Sequence, residues 1–286
     1  MVILENATIL NPSNFGYGDV YILDYTQGEF GQLYSINHID FKLKKINVDV
    51  DFNIESFEPI SFKSYDFLIG NKDAEAVIYK FDGDSLELFY KSEGSSVSID
   101  QLIPNSNSLI ISEQNYATAK VVKHYDFESN SWEVKSKREM PFDIIQKKMS
   151  YKAPLGIDAA LYLFYKKGTE INENTPLVVY GYGGFNVTLM PYYNSSNSLA
   201  WLDRGGAFVV VSLPGSLTYG PRWNEIAKAG NRTVAWDAFA SATEQLHNVG
   251  VSSPNHTAIM GGSNGGLLVG GTLLRHPNLF KAAVPL

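Results

Sequence analysis

A serine flanked by glycines, Gly261-Gly262-Ser263-Asn264-Gly265-Gly266, is the stretch of this sequence best suited to covalent chemistry. It holds the pattern G-x-S-x-G at Gly261, Ser263 and Gly265. A serine that attacks a carbonyl must stand on a sharp strand-to-helix turn with its hydroxyl exposed, and its neighbours must be small where strand and helix meet. The backbone N–H of the next residue, Asn264, then faces the oxyanion that forms, at the positive end of a helix. The flanking sequence supplies that setting. Thr257-Ala-Ile-Met260 reads as a short strand, and Leu267 to Arg275 as a helix ended by Pro277. A second glycine-rich stretch, Tyr180-Gly-Tyr-Gly-Gly-Phe-Asn186, follows the apolar run Leu177–Tyr180. It fails as a dinucleotide fingerprint, because Asn186 stands where G-x-G-x-x-G needs its last glycine and no helix follows promptly. A loop so placed, after a strand and upstream of the serine turn, either carries a second oxyanion donor or is a turn beside an aromatic cluster.

The elements that must position these loops alternate strand and helix from about residue 143. Leu161–Tyr165, Leu177–Tyr180 and Phe208–Val211 read as strands apolar on both faces. A helix from roughly Arg232 to Asn248 carries Trp236, Phe239, Ala240, Thr243 and Leu246 at helical period, with Gly250 as its stop. Such alternation predicts a mostly parallel sheet covered on both sides. The first half has another rhythm. Val77–Asp82 turns at Gly83 into Leu86–Tyr90, and Val121–Asp126 turns at Ser129-Asn130 into Trp132–Lys135. A looser copy, Val20–Asp24, precedes the Gly28/Gly31 region. The aspartates at 24, 82 and 126 are spaced by 58 and 44 residues. That irregular period suits propeller blades or a generic antiparallel β-domain, and three blades are too few to close a ring.

Composition narrows the function. The chain has 23 Lys+Arg against 30 Asp+Glu, a net charge of −7, so nucleic acid finds no clustered basic surface. With no cysteine among 286 residues, disulfide scaffolds, thiolate metal sites and cysteine nucleophiles are excluded. The five histidines form no pair at metal-ligand spacing, and no metal or cofactor is expected. The opening Met1-Val-Ile-Leu-Glu-Asn lacks the basic region of a secretory leader, and apolar runs such as Ala207–Val211 are strand-length, so no membrane span is expected. A cytoplasmic location suits these features.

Together, Tyr180–Asn186 and Gly261-Gly-Ser-Asn-Gly-Gly-Leu-Leu268 closely resemble the prolyl oligopeptidase family of serine peptidases. Tyr165-Lys-Lys-Gly168, Tyr219-Gly220, Trp223 and Arg275-His-Pro-Asn-Leu-Phe280 extend the resemblance across residues 143–286. It implies an α/β-hydrolase catalytic domain, here partial over 143–286, preceded by an incomplete β-propeller over 1–142. It further implies Ser263 as nucleophile, Asn264 N–H and the Tyr182 hydroxyl as oxyanion hole, and Phe185 as lining of the proline pocket. The substrate implied is a short peptide, admitted past the propeller, and the complete enzyme would be a monomer. An esterase, an acyl-aminoacyl peptidase or an inactive binding module share the fold and remain alternatives. One loop departs from the family pattern: Ser212-Leu-Pro-Gly-Ser-Leu-Thr-Tyr-Gly220 stands where Asn-x-Arg-Gly-Gly-Gly-Glu-Tyr-Gly is usual.

The triad of such a fold runs serine, acid, histidine along the chain. After Ser263 come 23 residues with no Asp or Glu and one histidine, His276. His276 sits at the far end of the helix that starts at the serine, about 20 Å away at 1.5 Å per residue. The expectation is therefore a fragment whose catalytic acid and base lie beyond it. His38 and His124 fall in the β half, His247 and His256 flank a helix end and a strand start and read as solvated or capping residues, and Asp237 in mid-helix reads as a solvated or locally paired group.

Overall fold

The computed structural model describes residues 7–10, 19–58, 60, 63–193 and 198–286, so the N-terminal hexapeptide read above for a leader lies outside the described residues. Three four-stranded antiparallel sheets come first, each built from strands consecutive in the chain. The first holds β1 (Ala7–Ile9), β2 (Val20–Asp24), β3 (Gln32–Ile36) and β4 (Leu43–Lys45). The second holds β5 (Asn53–Glu58), β6 (Asp66–Lys72), β7 (Glu75–Phe81) and β8 (Leu86–Lys91). The third holds β9 (Ser96–Ile103), β10 (Ser108–Gln114), β11 (Val121–Asp126) and β12 (Ser131–Lys137).

Neighbouring sheets pack face to face as propeller blades do. Leu23 and Leu33 of the first meet Phe52, Leu68 and Phe81 of the second. Phe67 and Ile78 of the second meet Leu109, Ile111 and Tyr125 of the third. The marker aspartates work as turn formers. Asp82 accepts from the N–H groups of Asp84 (3.0 Å) and Ser85 (2.7 Å) while Gly83 takes φ 99°. Asp126 accepts from Glu128 and Ser129, both at 2.8 Å, with Asn130 at φ 53°. Asp24 accepts from Thr26 at 2.9 Å, but its turn joins the second and third strands of its sheet rather than the third and fourth. An extra strand therefore separates Asp24 from Asp82, which explains the unequal intervals.

The remaining strands form one six-stranded sheet in the order β13-β14-β16-β15-β17-β18. These are β13 (Ile144–Lys152), β14 (Asp158–Lys166), β15 (Leu177–Tyr180), β16 (Ala207–Val211), β17 (Thr257–Gly261) and β18 (Ala282–Pro285). β13, β14 and β16 pair antiparallel; β16, β15, β17 and β18 pair parallel. One face carries α2 (Pro221–Glu225), α3 (Thr233–Asn248) and α4 (Asn264–Arg275), whose Trp223, Phe239, Leu246 and Leu268 pack on Leu161, Val179, Val209 and Ile259. The other face is closed by the short α1 (Leu199–Asp203) and by turns of the β half, through Leu202, Ala74 and Tyr116. The sheet is thus covered on both sides, but a helix does little of the covering on the second.

The two halves are joined there by specific bonds. Tyr162 donates to the Ala74 carbonyl at 3.0 Å, Tyr219 donates to Asp73 at 2.6 Å, and Lys148 pairs with Asp73 at 2.7 Å. Among the described residues no helix is long and apolar enough to cross a membrane.

Candidate active site

α4 begins at Asn264, three residues earlier than the apolar pattern suggests, because the serine turn itself is the helix start. Ser263 is the residue between β17 and α4 and adopts φ 54°, ψ −117°. L-residues rarely visit that region. The turn is held from outside: Ser263 N–H donates to the Leu286 carbonyl (2.8 Å), and Leu286 N–H donates to Gly261 (2.9 Å). The side chain of Ser263 is left exposed.

The glycines around it are explained by contact. A Cβ on Gly265 would lie 2.7 Å from the Gly181 carbonyl oxygen, and one on Gly261 would lie 2.8 Å from the same atom. Strand β17, helix α4 and the loop after β15 are therefore packed backbone on backbone. This follows from topology: β15 and β17 are parallel neighbours, with Tyr180 opposite Met260, so their following loops leave the same sheet edge. The structure thereby brings together the loops that bear Ser263, Asn264, Tyr182 and Phe185.

Asn264 has two parts with separate surroundings. Its N–H opens α4 and has no acceptor among the described residues, as the first N–H of a helix does unless something outside caps it. Its side chain is buried and donates to the Tyr182 carbonyl at 2.7 Å. The Tyr182 ring is half-buried. Its phenol lies near enough to that of Tyr180 to act on it electrostatically. Burial above all pushes the Tyr180 phenol up, neighbouring Tyr192 adds to this, and the Gly262 N–H that donates to it pulls back. Phe185 takes φ 53° and is 70% exposed, so its ring is presented to solvent beside the turn rather than packed into a core.

Arg232 is the residue that sequence reasoning missed. Its guanidinium lies 5.5 Å from the centre of the Phe185 ring and also donates to the Asn264 side-chain oxygen. One cation thus ties the exposed ring, the helix start and, through Asn264, the Tyr182 backbone. Arg232 occupies the N-cap of α3, where a positive charge opposes the helix dipole. A cation placed against that field was the available signal that another partner holds it.

The departing loop lies directly beneath. Gly215 accepts from Asn186 N–H (3.0 Å) and from the Asn224 side chain (2.5 Å), and Trp223 donates its indole N–H to Leu213 (2.9 Å). Ser212–Gly220 therefore supports the Tyr182–Asn186 loop through backbone groups and offers no charged side chain to the site.

The histidines lie elsewhere. His247 bonds Thr257 at 2.9 Å and His256 bonds Ser253 at 3.0 Å. Both are at the start of β17, about 13 Å from its serine end at 3.3 Å per residue. His276 bonds Asp237 at 3.0 Å at the far end of α4. Hydrogen bonds from Arg275 hold the Asp237 carboxyl below the usual carboxylate range and tie α3 to α4. His38 bonds Asp19 at 3.3 Å, and His124 lies on β11. Among the described residues no partner bonds the Ser263 hydroxyl, and no cluster of potential metal ligands exists.

Residues 193–286 match the family model described as the prolyl oligopeptidase family. The prolyl endopeptidase of Elizabethkingia meningoseptica is 31% identical over 180 residues, 62% of this chain and 25% of that protein. The prolyl endopeptidase of Dictyostelium discoideum is 25% identical over 291 residues, 95% of this chain and 38% of that protein. Among solved structures, prolyl oligopeptidase B of Galerina marginata, bound to a 25mer macrocyclization substrate, superposes with a TM-score of 0.81 at 21% identity. That superposition covers 98% of this chain and 40% of the other, so the fold of both halves is shared. The chain spans between a quarter and two fifths of these proteins.

Proposed function

Because residues 193–286 match the model of the prolyl oligopeptidase family, we propose that the chain is part of a serine peptidase cleaving short peptides after proline. Ser263 Oγ attacks the scissile carbonyl carbon as a histidine takes its proton. The C–N bond then breaks while that proton passes to the leaving amine, and water hydrolyses the acyl-enzyme. Asn264 N–H and the Tyr182 hydroxyl hold the oxyanion, and Phe185 lines the pocket for the proline ring. The histidine and its acidic partner come from outside residues 1–286. Residues 1–142 serve as part of a propeller that limits substrate size, and residues 143–286 as the first half of the catalytic domain. The complete enzyme is a cytoplasmic monomer that needs no metal or cofactor.

The observation that carries this reading is the left-handed backbone of an exposed serine at the end of a parallel strand, beside a helix-start N–H that has no acceptor among the described residues. A turn of purely structural purpose would place glycine there without strain. A fluorophosphonate tests it. Residues 1–286 alone should label hardly at all, since a serine hydroxyl without a base is a weak nucleophile. A longer form containing the acid and base should label at Ser263, and Ser263→Ala should abolish the signal. Rapid labelling of residues 1–286 would assign the base to a histidine described above and refute the reading. The departing Ser212–Gly220 loop keeps an esterase or acyl-aminoacyl peptidase as the second reading. Turnover of simple esters with no turnover of a Pro-anilide would favour it.

A further inference from the structure

Asn264-Gly265 is the one Asn-Gly step in the sequence, and it directly follows the candidate nucleophile. Asparagine is among the thermally labile residues, and before glycine it is most exposed to attack on its carboxamide by the next backbone nitrogen, since no side chain hinders the approach. Neither residue is free to change here. A Cβ at position 265 would lie 2.7 Å from the Gly181 carbonyl oxygen, and the Asn264 carboxamide bridges α4 to the loop after β15. Packing thus imposes a labile dipeptide on the serine turn.

The fold keeps the two reacting groups apart. Asn264 Nδ2 donates to the Tyr182 carbonyl at 2.7 Å, and Arg232 donates to Oδ1. Gly184 packs so closely on the carboxamide that a Cβ there would lie 2.5 Å from Nδ2. The attacking group is engaged as well, because Gly265 N–H donates to the Gly262 carbonyl at 2.7 Å. Asn264 is the first residue of α4, and a helical backbone turns the following nitrogen away from the side-chain carbonyl carbon. Asn264 is 8% exposed, whereas Arg232 is only half-buried, so the guanidinium is the outermost part of this enclosure.

We propose that Asn264 is a self-modification site, a deamidation that runs only while the clamp of Arg232, Tyr182 and Gly184 is open. The Gly265 nitrogen forms a bond to Asn264 Cγ, the Cγ–Nδ2 bond breaks, and ammonia leaves with the proton that Gly265 gives up. Water then opens the resulting five-membered imide at either carbonyl, which yields aspartate or isoaspartate. Either product has lost Nδ2 and with it the bond to the Tyr182 carbonyl. Isoaspartate also adds one atom to the backbone at the start of α4. The inference goes beyond the peptidase reading and stands whether or not Ser263 is a nucleophile.

Mass spectrometry of the tryptic peptide that carries Asn264 tests it, with isoaspartate read by an isoaspartate-specific methyltransferase. Incubation is at mildly alkaline pH, which speeds the attack by helping Gly265 lose its proton. In residues 1–286 unfolded by urea, Asn264 should convert faster than any other asparagine, and in the folded chain at least tenfold more slowly than when unfolded. Arg232→Ala should raise the folded rate by about tenfold or more, because local opening then breaks one fewer bond to a charged group. The parent, held in enough urea to match the stability of that variant, should stay slow. Arg232→Lys, which keeps a donor, should give an intermediate rate and replaces the alanine variant if that fails to fold. Equal rates in folded and unfolded parent would overturn the proposal. So would an unfolded chain that leaves Asn264 intact, or a parent in matched urea that converts as fast as the Arg232 variant.

Discussion

Replacing Ser263 by glycine should make the protein more stable, whereas replacing it by alanine should not. Ser263 sits at φ 54°, ψ −117°, outside the regions open to residues with a Cβ. Holding a non-glycine residue in such a conformation costs on the order of 1–3 kcal/mol. Glycine releases that strain but adds about 0.4–1 kcal/mol of unfolded-chain entropy, so the expected gain is roughly 0.5–2 kcal/mol. Alanine keeps the Cβ and the strain. It removes only a hydroxyl that bonds nothing among the described residues, so its change should stay within about 0.5 kcal/mol. Urea denaturation followed by tryptophan fluorescence reads the difference, since Trp223 is fully buried and Trp236 packs against the same core. The comparison of the two variants matters more than either alone, because both delete the hydroxyl. If Ser263→Gly is no more stable than Ser263→Ala, the turn is not strained and the backbone reason for assigning a nucleophile there fails.

Arg232→Ala should cost about 1.5–3 kcal/mol, the range for a hydrogen bond to a charged group, because it strands the buried Asn264 side-chain oxygen. Arg232→Lys should recover only part of this, since an ammonium cannot both lie flat on the Phe185 ring and reach Asn264; full recovery in a thermal melt would refute the clamp. Burial lowers the His247 pKa below its ordinary 6.5, so its contribution to stability is present above about that pH and is lost as pH falls through the folded value. Urea midpoints of His247→Gln should therefore fall less steeply than the parent's between neutral pH and pH 5, and parallel curves would exclude His247 as the cause.

What was legible in the sequence followed from local covalent geometry. Gly261, Ser263 and Gly265 announce the turn because few residues tolerate it, and β15 and β17 announce themselves as continuous apolar runs. The aspartate turns at 82 and 126 were equally readable, since a carboxylate that accepts from the N–H groups two and three residues on acts within four residues. Arg232 was not legible, because its partners Phe185 and Asn264 lie 47 and 32 residues away in sequence and meet it only after the sheet has assembled. The same limit hid the closure of the sheet's second face, where Ala74 and Tyr116 come from turns of the β half and carry no helical period.

Gly181 shows where the line between the two kinds of information falls. As part of a glycine-rich loop it reads like a residue chosen for conformational freedom, yet its φ is not in the left-handed region. It is glycine because an added Cβ would lie 2.7 Å from Leu213, 2.9 Å from Leu268 and 3.1 Å from Phe239. Its carbonyl oxygen is also the atom against which Gly261 and Gly265 are packed. Three glycines from two loops thus share one contact, and that contact fixes how far Tyr182 stands from the start of α4. A side chain at any of the three would push the loops apart before it changed the chemistry of any group. The spacing between Tyr182 and the Asn264 N–H, the groups proposed to hold an oxyanion, is therefore a property of backbone packing, and any chemistry done there inherits it.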